Sequence, residues 1–78
     1  MAKQLIKDRY TKELGKIGAR VEKFRTAKKL SQKKLALFSE VPFSSINAIE
    51  RGDLNPTIGT LLAIAEALEV KPKELLDY

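Results

Sequence analysis

The 78-residue chain contains neither histidine nor cysteine. That removes the commonest metal ligand, the commonest general base and every thiolate. Its carboxylates are scattered, so none is placed in an obvious pair for acid–base or metal work. What remains is hydrogen-bonding and charge chemistry, concentrated in the stretch QKKLALFSEVPFSSINAIER at residues 32–51. Gln32 sets an amide beside the Lys33 cation. Phe43, Ser44, Ser45, Asn47 and Ala48 mix aromatic, hydroxyl, amide and methyl groups over one short segment, and Arg51 and Asn55 follow. Groups of this kind suit recognition of a surface better than bond breaking. We therefore expect no enzyme and no cofactor.

These groups need a scaffold, and the apolar spacing supplies one. Leu14, Ile17, Val21 and Phe24 recur at three- and four-residue steps, the stripe of a first helix. It is defined best from Ile17 to Ala27, because Gly15 and Gly18 each cost about 1 kcal/mol relative to alanine in a helix. Residues 1–13 form a basic extension, either helical or a loose arm, and residues 14–78 form the domain proper. Ser31 is a good N-cap for a second helix that buries Leu35 and Ala36 and ends near Ser39. Pro42 breaks the chain before a third helix, Phe43 to Arg51, which buries Ile46 and Ile49 and stops at Gly52. Thr57 caps a fourth helix, rich in Leu61, Leu62, Ile64, Ala65 and Leu68, and Pro72 opens a short fifth. No segment alternates as a half-buried strand does. The expected fold is all-α, with five helices.

Charge is divided unevenly. Residues 1–34 carry 12 Lys/Arg and 3 Asp/Glu, a balance of +9; residues 35–78 carry 3 and 7, a balance of −4. This asymmetry suits a polyanion, nucleic acid first and an anionic membrane second, or else it is a solvated surface without a partner. The N-terminal apolar stripe is modest and there is no tryptophan, which disfavours binding along a membrane surface. No apolar run is long enough to span a bilayer, and the charged start MAKQLIKDRYTKEL lacks a signal-peptide core. A cytoplasmic, nucleoid-associated location is expected.

Small Ala36, then Val41 in the turn, then Ile46 and Ile49 let two short helices cross closely. Together with Arg25, LSQKKLA at 30–36, IERG at 49–52, NPT at 55–57 and the LLAIAEAL run, this pattern resembles the phage-repressor and Cro-type helix-turn-helix family, the xenobiotic-response-element class. The resemblance covers Ile17 to Leu76. It implies a repressor-like DNA-binding domain whose second and third helices form the motif, with the third in the major groove of double-stranded DNA and a homodimer reading two half-sites.

The resemblance also implies roles. Gln32 and Lys33 sit where a helix N-terminus meets a phosphate, and Gln32 can also reach a base edge. Phe43, Ser44, Asn47 and Ala48, with Ser45 nearby, form the reading face. There, asparagine suits adenine, and alanine or phenylalanine suits a thymine methyl. Arg51 and Asn55 border the groove and hold the backbone. Arg25 and Glu50 form a buried ion pair that orients the recognition helix, or are two unrelated surface charges. Val70, Leu75, Leu76 and Tyr78 form the dimer surface, or belong to the core.

Three departures stand out. Glu40 occupies a turn position that usually carries glycine in left-handed geometry. Pro42 replaces a capping Ser or Thr. No Lys or Arg precedes Arg51 on the third helix, so reading leans towards A·T pairs and methyl contacts. Leu37 and Phe38, on the outer part of the second helix, fold back onto the domain, or flank Phe43 as a local staple, or form with Phe43 nearby an apolar patch for a protein partner. A transcriptional regulator is the leading expectation. With no effector domain after Tyr78, a restriction–modification controller or small repressor is favoured. The alternative is an interaction module such as an antitoxin or adaptor.

Overall fold

The computed structural model describes residues 5–78, so the first four residues of the basic extension lie outside it. Six helices follow in order: α1 Ile6–Arg9, α2 Thr11–Ala27, α3 Gln32–Ser39, α4 Phe43–Arg51, α5 Ile58–Leu68 and α6 Pro72–Leu75. The expected five become six because part of the basic extension forms its own turn of helix. The first long helix also starts earlier than expected. Gly15 and Gly18 lie inside α2, which runs unbroken across the expected boundary at residues 13 and 14.

One core joins all the long helices. Val21 of α2, Leu35 of α3, Ile46 and Ile49 of α4, Ile64 and Leu68 of α5, and Leu75 of α6 are its largest fully buried side chains. Val41 in the α3–α4 turn is also buried, and Ala36 packs against the cluster. Leu62 faces out despite its apolar neighbours, as the helical period of α5 requires.

The helix ends explain why α3 and α4 are short. Ser31 accepts a hydrogen bond from the Lys34 N–H at 3.0 Å, and Thr57 accepts one from Thr60 at 3.1 Å. Each satisfies a donor that the first helical turn leaves open. Glu40 ends α3 at φ 59°, in the left-handed region. The buried Ser39 hydroxyl supports this turn: it donates to the Leu35 carbonyl at 2.6 Å and accepts from the Val41 N–H at 3.3 Å. Pro42 precedes α4 with no side-chain cap, as expected. Glu69 ends α5 in the same left-handed geometry, and Lys29 takes it one residue past the Lys28 cap of α2.

Left-handed backbone is unfavourable for any residue with a Cβ. Glu40→Gly is accordingly expected to stabilise the domain by about 1 kcal/mol. Urea unfolding checks this; a lower midpoint in the variant would count against strain at the turn.

Candidate nucleic-acid interface

The outward side of α4 and the start of α3 form one surface. Phe43 and Ser44 are exposed in the first turn of α4, and Ser45, Asn47 and Ala48 are half-buried behind them. Without a side-chain cap, the first N–H groups of α4 are open to an anion. The Lys33 ammonium stands 5.9 Å from the centre of the Phe43 ring, a cation–π contact linking the two helices. Arg51 is exposed at the end of α4, where it pairs with Asp53 at 3.2 Å. Such a surface pair contributes little and holds its partners loosely. Asn55 is exposed in the loop that follows.

Arg25 and Glu50 form the expected pair, and they do so bidentately. Arg25 Nε donates to Glu50 Oε2 at 2.7 Å and its terminal nitrogen to Oε1 at 3.0 Å. A third donor reaches the Leu30 carbonyl at 2.8 Å. The side chains are 13% and 2% exposed. The hydrogen bond to Glu50 is the main reason the Arg25 guanidinium is raised above its ordinary pKa. The alternative of two unrelated surface charges is thereby excluded.

The pair does not end there. Gln32 Nε2 donates to Glu50 Oε1 at 2.9 Å, and Asn47 Nδ2 donates to Gln32 Oε1 at 3.1 Å. A continuous chain thus runs from Arg25 through Glu50 and Gln32 to Asn47. In the sequence Gln32 and Asn47 stand as independent contacts. Nothing in their spacing of 15 residues marks them as partners, because contact depends on the α3–α4 crossing.

Two expectations are corrected. Leu75 is fully buried, anchoring α6 to the core, so the core reading holds for it and it offers no surface to a partner. Val70 packs half-buried against the core, while Leu76 and Tyr78 are exposed. Leu37 and Phe38 do not fold back: they are 66% and 55% exposed, because α3 directs Leu35 and Ser39 inward and leaves them on its far side.

Among the described residues, no cluster of His, Cys, Asp or Glu can hold a metal ion, and no helix is long and apolar enough to cross a membrane.

Two short helices crossing at a tight turn, with the second presenting a polar face, define a DNA-binding helix-turn-helix domain. The helix-turn-helix family model matches residues 21–75. The chain belongs to this family of DNA-binding transcription regulators. It is 39% identical over 62 residues to the control protein C.BamHI of Bacillus amyloliquefaciens, covering 78% of this chain and 76% of that protein. Its fold is similar to the crystal structure of the restriction-modification controller protein C.AhdI from Aeromonas hydrophila, with a TM-score of 0.81 and 41% identity over 82% of this chain and 97% of that one. A helix-turn-helix transcriptional regulator from Vibrio cholerae superposes with a TM-score of 0.79 and 29% identity, over 83% of this chain and 36% of that protein.

Proposed function

We propose that the chain is a controller of restriction–modification genes that binds an operator as a homodimer. The observation that carries this is the outward face of α4, with Asn47 held in a fixed orientation between Ser44 and Ala48. The likeness to two controller proteins over most of their length supports the controller subtype. In this reading Gln32, Lys33, Arg51 and Asn55 hold phosphates around the groove, and Phe43, Ser44, Ser45, Asn47 and Ala48 meet base edges and thymine methyls. One short helix covers few base pairs, so two copies supply the specificity, related by a two-fold axis. Val70, Leu76 and Tyr78 remain as dimer-surface residues. The reading places the protein in the cytoplasm with its DNA.

Selection of bound duplexes from a random pool tests the proposal. The expected product is a sequence with two-fold symmetry and half-sites about one helical turn apart, or a multiple of it. Its affinity falls steeply with salt, by about 10³-fold or more between 50 and 200 mM if six or more phosphates are contacted. Failure to bind any duplex at low salt overturns the proposal. The exposed Leu37 and Phe38 would then favour the protein-interaction reading.

A further inference from the structure

We infer that Glu50, a residue off the reading face, sets which base Asn47 accepts, by fixing the polarity of the hydrogen-bond chain that ends there. The inference rests on the DNA-binding reading and deepens it. An amide can present oxygen or nitrogen in either direction, and a half-turn about its last bond exchanges them. A carboxylate has no such freedom: when ionised it only accepts. Both Glu50 oxygens accept from Arg25, and the side chain is almost wholly buried.

The consequences pass outward one group at a time. Because Glu50 accepts, Gln32 must turn its nitrogen inward, as observed at 2.9 Å. Gln32 therefore turns its oxygen to Asn47, which must answer with its nitrogen, as observed at 3.1 Å. One Asn47 N–H is consumed. The other N–H and the oxygen remain for a ligand. One donor beside one acceptor matches adenine, which offers an N7 acceptor and an N6 donor in the major groove. Guanine offers two acceptors, O6 and N7, and does not match. Glu50 is thus a positioning residue, Gln32 passes its polarity on to Asn47 while its second N–H stays available for a phosphate, and Asn47 makes the base contact.

The experiment uses the full chain and the selected duplex, with all four base pairs placed in turn at each position. Loss of discrimination in Asn47→Ala identifies the pair that Asn47 reads. Wild type is expected to prefer adenine over guanine there by about 10-fold or more. Gln32→Met keeps the Arg25–Glu50 pair but cuts the chain. It is expected to keep the melting midpoint while the preference falls to about 3-fold or less. Glu50→Gln frees the polarity, so both Asn47 N–H groups can face the duplex, and guanine is expected to gain on adenine. If that variant unfolds, Gln32→Met still decides. In the free protein, one Asn47 amide proton is expected to exchange slowly with water in wild type and rapidly in Gln32→Met. A purely structural role for Gln32 would leave the base preference unmoved.

Specific binding with an unchanged adenine-to-guanine ratio in Gln32→Met overturns this inference alone, as does a pair other than adenine–thymine at the Asn47 position. Absence of all specific binding overturns the functional proposal and this inference together.

Discussion

Replacing Glu50 by alanine is expected to lower the melting midpoint by on the order of 12–24 °C, whereas Glu66→Ala leaves it nearly unchanged. The difference follows from burial. The Glu50 side chain is 2% exposed and accepts hydrogen bonds from both Arg25 and Gln32. Removing it strands the Arg25 guanidinium, which is 13% exposed and keeps only the Leu30 carbonyl as a hydrogen-bond acceptor. Breaking a buried pair by deleting one partner costs about 3–5 kcal/mol. The residual exposure of Arg25 favours the lower end, about 3 kcal/mol. In a domain of this size each kcal/mol shifts the midpoint by roughly 4–8 °C. Glu66 is exposed, and exposed substitutions usually stay within about 0.5 kcal/mol.

The linkage to pH has a definite sign. The folded-state pKa of Arg25 is raised, chiefly by its hydrogen bond to Glu50. The stability this contributes is fully present below the unfolded guanidinium value and is lost only as pH rises through the still higher folded value. That window lies beyond the alkaline range in which the domain can be handled. The gap between wild type and Glu50→Ala should therefore stay constant from neutral to mildly alkaline pH. Thermal melts of the two alanine variants check the first expectation; equal midpoints would show that the pair carries little of the fold.

The scaffold was readable from the sequence because its signals are local. Leu35, Ile46 and Ile49 follow the helical period, and all are fully buried. Ser31 and Thr57 precede apolar runs, and both cap a helix. The start of α2 was less readable, since the glycines at 15 and 18 argue against helix by propensity while tertiary packing decides otherwise. The chain from Glu50 through Gln32 to Asn47 left no local signal at all. It joins residues on two helices through side-chain amides, and ordinary exposed Gln and Asn have the same appearance in sequence. The dimer-surface residues were ambiguous for a related reason: Leu75 and Leu76 are adjacent and alike in type, yet one is fully buried and the other half exposed. Only the orientation of α6 separates them.

Two glycines of α2, three residues apart, should respond to alanine with opposite signs. A Cβ at Gly15 meets nothing within 4 Å. Gly15→Ala is expected to stabilise the domain by about 0.5–1 kcal/mol, the ordinary gain of alanine over glycine inside a helix. Gly18 lies where α2 crosses the end of α4. A Cβ there would overlap the Ile49 carbonyl oxygen and stand 2.8 Å from the Glu50 oxygen. Both are backbone atoms of a helix, so no rotamer change can relieve the clash. The two helices would have to move apart, loosening Val21 against Ile46 and Ile49 and pulling Glu50 away from Arg25. Overpacking usually costs about 1–3 kcal/mol, and a clash with backbone belongs at the upper end or beyond. Gly18→Ala is therefore expected to lose about 3 kcal/mol, a large share of the stability of so small a domain. Urea titration of both variants separates the outcomes. If Gly18→Ala were as stable as Gly15→Ala, the close approach of α2 and α4 could not be what fixes the recognition helix in place.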